Sequence, residues 1–79
     1  MWQLDYTEEA KSYFIDNYPY TFLLLVEIEK LKFTPEGIPP EGCTQIEIGL
    51  LWWEVLDHIV IYERLPDVNQ LIIASIKPM

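Results

Sequence analysis

The stretch Leu50-Leu51-Trp52-Trp53-Glu54-Val55-Leu56-Asp57-His58-Ile59-Val60-Ile61-Tyr62 reads as two strands joined by a tight turn. Aromatic and β-branched residues dominate it, and Asp57-His58 is where a turn fits. Successive side chains of a strand point to opposite faces, so the adjacent tryptophans cannot share one. Trp53 and Val55 are expected on the core side, with Trp52 and Glu54 on the far side. Ile59 to Tyr62 is apolar on both parities, as in a strand covered on both faces.

Beyond this stretch, Leu65-Pro66-Asp67-Val68-Asn69 carries turn chemistry, and Leu71–Ile76 is a last apolar strand before Lys77-Pro78-Met79. Upstream, Gln45-Ile46-Glu47-Ile48 alternates with period two, and Gly49 marks a tight turn or a bulge. Thr34–Cys43 contains three prolines and two glycines, which excludes a helix or a central strand. It is too short to separate domains, so residues 1–79 are read as one.

The first half is helical. Trp2, Leu4 and Tyr6 alternate with polar residues as a short strand. Thr7 offers an N-cap hydroxyl, and Glu8 and Glu9 suit the positive end of a helix dipole. Ala10, Tyr13, Phe14 and Asn17 continue at helical spacing to about Asn17. Pro19 stops that helix and is placed to begin the next, from about Pro19 to about Lys32. Leu24, Ile28 and Leu31 form its buried stripe, widened by Leu25 and Phe22. The predicted class is α+β: a short strand, a helical hairpin, then a three- to four-stranded antiparallel sheet with both helices on one face.

Composition narrows the functions. Thirteen acids against five bases leave a formal charge of -8. Such a surface repels phosphate backbones and anionic lipid. The bases Lys11, Lys30, Lys32, Arg64 and Lys77 form no basic patch, because Glu27 and Glu29 flank the closest pair. No apolar run approaches the roughly 18 residues of a membrane span. Met1–Asp5 has neither a basic nor an apolar leader character, so a cytoplasmic protein is expected. The single cysteine, Cys43, cannot make an internal disulfide and has no basic neighbour to activate its thiol. His58, Asp57 and Glu54 supply one imidazole at a spacing unsuited to a metal, so neither metal nor cofactor is expected.

Asp57-His58-Ile59-Val60-Ile61-Tyr62 resembles the core of the RelE/ParE toxin superfamily, including its YoeB-like branch. In that superfamily an aromatic strand and an acidic turn precede an Arg-aliphatic-aliphatic-Tyr strand. Leu4–Ala10 is similar to its opening strand and helix cap, and Leu71–Lys77 to its closing strand. The resemblance implies a RelE/ParE-like fold, messenger-RNA cleavage and an antitoxin partner. The chain departs from it at Ile59, where the family carries arginine, and at Pro78-Met79, where active toxins carry catalytic side chains. Losing one donor to a charge-gathering transition state typically costs about two to three orders of magnitude in rate.

Two functional readings follow. One is a catalytically impaired toxin-fold protein that binds protein, either an antitoxin-like partner or a second copy, through Trp52, Glu54, His58 and Tyr62. The alternative is an active endoribonuclease with His58 as proton shuttle beside Glu54, Tyr62 and Arg64. With two helices available, one sheet face is left under-covered. Either the Pro-rich loop folds over that face, or the face is simply curved and small, or it is an interaction surface.

Overall fold

In the computed structural model, which describes residues 1–79, the chain runs β1 (Gln3–Tyr6), α1 (Glu8–Asp16), α2 (Phe22–Glu29), β2 (Thr44–Glu47), β3 (Leu50–Val55), β4 (His58–Leu65) and β5 (Gln70–Pro78). Short 3₁₀ turns occupy Lys30–Phe33 and Pro66–Val68. The class is α+β, but the sheet has five strands and is mixed, in the order β1-β5-β4-β3-β2. Strands β2 to β5 are antiparallel, as expected from their short turns. The added member is β1, which lies parallel to β5 with Leu4 beside Leu71 and Tyr6 beside Ile73. A parallel pair needs a long crossover, and here the whole intervening chain supplies it.

Local chemistry sets the helix ends. The Thr7 hydroxyl accepts from the Ala10 N–H at 3.3 Å, the capping bond that its position predicts. Helix α2 starts at Phe22 rather than Pro19, with Thr21 at its N-cap. Leu24, Ile28 and Leu31 turn inward and are buried. Phe22 does not widen that stripe. It lies two residues before Leu24, about 200° round the helix, and is 53% exposed.

The inner sheet face carries Leu51, Trp53, Val55, Val60, Tyr62, Leu71, Ile73 and Ile76, and these meet Ala10, Leu24, Ile28 and Leu31 in one core. Leu71, Ile73 and Ile76 break the strict alternation of a strand. Ile61 pairs with Ser75 and Tyr62 with Ile73, so Ala74 is an extra residue whose bulge resets the parity. The β3–β4 turn also sits one residue earlier than predicted. Leu56 and Asp57 both adopt positive φ, of 48° and 60°, as a two-residue hairpin turn requires. His58 is therefore the first residue of β4, opposite Val55.

Residues 34–43 form a strap over the inner face, not the outer one. The Tyr62 hydroxyl donates to the Gly37 carbonyl at 2.8 Å, and Trp53 Nε1 donates to Glu41 at 2.8 Å. Trp2 Nε1 donates to the Thr34 carbonyl at 3.1 Å. Arg64 holds the Glu36 carbonyl and carboxylate and lies 5.2 Å from the centre of the Trp2 ring. The strands expected to be covered on both faces are thus covered on one.

Two tests of stability follow from these contacts. Gly37 has φ of +70°, and a Cβ there would lie 3.0 Å from Leu71 Cδ2 and from Trp2 Cε2. Gly37→Ala combines a left-handed backbone with a crowded core, so we expect a loss of about 2 kcal/mol, read as a lower urea midpoint at unchanged slope. The second test concerns the link between β1 and α2. The Tyr6 hydroxyl donates to Glu29 at 2.5 Å, and Lys32 Nζ lies 2.7 Å from the same carboxylate. Burial alone pushes the Glu29 carboxyl up, but the bonds from Lys32 and Tyr6 outweigh it and hold its pKa below the ordinary value. A lowered folded-state pKa gives stability that is present above the unfolded pKa of about 4.3 and lost as pH falls through the folded value. Glu29→Gln should flatten this acid limb when unfolding free energy is plotted against pH.

Candidate functional site

The strand register sorts the candidate residues onto two faces. His58, Tyr62 and Arg64 share the inner parity with Val60, while Glu54 pairs with Ile59 on the outer parity. The sheet therefore separates Glu54 from the imidazole it would have to assist.

The inner trio is committed to the fold. The His58 Nδ1 lies 2.8 Å from the Leu56 carbonyl, and Nε2 lies 2.8 Å from the Tyr13 hydroxyl. A carbonyl only accepts, so Nδ1 carries a proton, while Nε2 shares a hydrogen bond with the Tyr13 hydroxyl. The Tyr13 and His58 rings also meet edge to face, with centroids 5.7 Å apart. Tyr62 has no exposed surface. Burial pushes its hydroxyl pKa up, with neighbouring Cys43 adding to the shift, so it remains a donor to Gly37. Arg64 is bound to Glu36. As placements, Tyr62 and His58 do not join Trp52 and Glu54 on one surface. No group of three or more histidine, cysteine or acidic side chains is close enough to hold a metal ion.

The outer face is different. Strand pairing sets Glu54 beside Ile59 and Lys77, Trp52 beside Ile61 and Ser75, and Leu50 beside Glu63, Ile72 and Asp5. Thr44 and Glu47 of β2 extend it. Trp52 is 36% exposed, against 2% for Trp53, so the two tryptophans divide between the faces as their adjacency requires. Ile59, Ile61 and Ile72 are half-buried, by strand neighbours rather than by a second layer. Asp5, Glu47, Glu54 and Glu63 stand on this face against a single cation, Lys77.

A cleft of about 350 Å³ lies on the other side, between the end of α2 and the strap, lined by Lys30, Phe33, Thr34, Pro40, Glu41 and Trp53. Its charged groups are engaged, Lys30 with Glu27 and Glu41 with Trp53.

The sequence reading missed Gly37, Glu36 and Trp2, which fix the strap. The one signal for them was a glycine inside the proline run; the partners are 25 or more residues away in the chain.

No family model, curated protein or solved structure matches this chain. No helix is long and apolar enough to cross a membrane.

The His58–Tyr13 contact gives a test that separates a structural histidine from a reactive one. His58→Ala and Tyr13→Phe should each cost about 1 kcal/mol in urea unfolding, and the double variant should cost less than their sum, with a coupling of roughly 0.5–1 kcal/mol.

Proposed function

We propose that this chain is a RelE/ParE-like protein that works by holding a polypeptide rather than by cutting RNA, and that its docking surface is the outer face of the sheet. The observation that carries the reading is the composition of that face. It presents Trp52 exposed and Ile59, Ile61 and Ile72 half-buried with no second layer over them, ringed by Asp5, Glu47, Glu54 and Glu63 with only Lys77 opposing them. A contiguous apolar patch rimmed by charge of one sign suits a partner with apolar anchors and an excess of lysine or arginine. An antitoxin-like segment of that composition is the partner the surface fits best.

Charge supports the same reading from the opposite side. Four of the five cations are paired: Lys11 with Glu8, Lys30 with Glu27, Lys32 with Glu29 and Arg64 with Glu36. Such surface pairs add little stability, but each sets a carboxylate beside its cation and offsets the positive potential that a phosphate would meet there. A scissile phosphate gathers negative charge as it breaks and needs fixed cations around it. The imidazole, phenol and guanidinium that would act on it are bonded to Tyr13, Gly37 and Glu36.

The test uses a synthetic peptide with alternating lysine and leucine, titrated into the full chain and followed by tryptophan fluorescence. Binding should weaken with salt. Trp52→Ser should raise Kd at least about tenfold, or about 1.4 kcal/mol. Efficient scission of a messenger RNA by the chain alone, abolished in His58→Ala, would overturn the reading, as would peptide binding that ignores Trp52.

A further inference from the structure

The first five residues of helix α2 are apolar on every side, although only one side meets the core. Its residues Phe22-Leu23-Leu24-Leu25-Val26 include no charge. Leu24 and Ile28 face inward, while Phe22, Leu23 and Val26 are 53%, 67% and 38% exposed. Phe22 and Val26 are four residues apart and Leu23 and Val26 three apart, so these three adjoin on the outer side. Leu25, three residues from Phe22, continues the surface into a shallow apolar cleft with Phe14 and Ile15 of α1. Seven of the fifteen exposed large apolar side chains of the protein fall between Ile15 and Phe33. A helical stretch that is hydrophobic all round is normally covered on all sides.

Electrostatics selects the cover. The molecule carries -8, so two copies repel unless they meet where charge is locally balanced. The outer sheet face, with four carboxylates and one amine, is unsuited to that. The α2 face is neutral: residues 22–33 contain Glu27, Glu29, Lys30 and Lys32 and no other charge. These four are mutually paired at 2.5 and 2.7 Å.

We infer that the outer side of α2 is the contact between two copies of this chain, packed antiparallel about a two-fold axis near Val26. Four residues separate Val26 from Phe22 on one side and from Lys30 on the other. In an antiparallel pair, each Phe22 therefore lies against the aliphatic stem of the other copy's Lys30. Such a contact is self-complementary and closes as a dimer. It leaves the outer sheet face free, so it stands independently of the polypeptide-binding reading.

Sedimentation of the full chain across the micromolar range tests this. The expected mass moves from one chain to two. Added salt should strengthen the association, because it screens the repulsion between two -8 bodies while leaving the apolar contact in place. Val26→Glu should raise the dimer dissociation constant at least tenfold with unchanged far-UV circular dichroism, and Trp52→Ser should leave it unaltered. If Val26→Glu loses helical signal, Leu23→Lys serves in its place. A single chain at every concentration and salt, or a dimer that survives the α2 variants, would overturn the inference. So would a dimer lost in Trp52→Ser, since that would place the contact on the sheet. Peptide binding measured on the Val26→Glu protein reports on the sheet face alone.

Discussion

Trp52 and Trp53 are consecutive residues of β3, and a pleated strand must send them to opposite sides. The protein has enough chain to cover one of them. The end of α2 and the strap cover Trp53, whereas Trp52 has only its strand neighbours and the end of the strap beside it and stays 36% exposed. The inner face becomes a closed core with its polar groups satisfied: no buried side-chain nitrogen or oxygen lacks a partner. The outer face stays open, with the β-branched residues of β4 and β5 screened only by one another. A register shift by one residue would exchange the two faces, so the register of β3 and β4 fixes both the core and the exposed surface.

That constraint explains how much was legible in advance. Parity placed Trp53 and Val55 inside and Trp52 outside, because it depends on neighbouring residues alone. The Thr7 cap and the Leu24, Ile28, Leu31 stripe were legible for the same reason. Long-range features were not. The pairing of β1 with β5 joins residues more than sixty positions apart and has no turn to announce it. The strap's choice of face rests on Tyr62 and Trp53 reaching Gly37 and Glu41, contacts without a sequence period. The two-residue turn was misplaced by one because Leu56 is a poor candidate for positive φ, and the tertiary fold overrode that preference. The candidate site suffered most from this kind of error. His58, Tyr62 and Arg64 do share a face, but it is the face that the helices and strap close, and Glu54 lies on the other.

The closing of the inner face also determines what its polar residues can do. Tyr62, Trp53, Trp2 and Arg64 all spend their donors on strap carbonyls or carboxylates between Thr34 and Glu41. A strap of prolines and glycines has no helical or strand ladder to satisfy its own carbonyls, so the sheet must lend donors to it. The phenol and guanidinium that look available for chemistry in the sequence are the donors lent. Freeing them for a substrate would release the strap and open the core beneath it.

The distribution of charge follows from the same asymmetry. Lys30 and Lys32 sit three residues after glutamates and cancel them, so residues 22–33 carry no net charge and the exposed apolar residues of α2 are left uncontested. On the sheet side the acids have almost no opposite partner, and they surround the apolar stripe around Trp52. An open β-surface with an exposed edge invites stacking and edge pairing with copies of itself. Here the edge strand β2 is four residues long, interrupted by a bulge between Gln45 and Glu47, and bounded by the exposed Glu47. The carboxylates on the face beside it repel a second identical face. The charge that keeps copies from meeting through their sheets is the charge that would draw a cationic chain to the same surface. The neutral α2 face has no such barrier to an identical copy. The two exposed apolar surfaces of this small protein thus differ in the partners they admit, and the difference comes from where its thirteen acids and five bases fall on the fold.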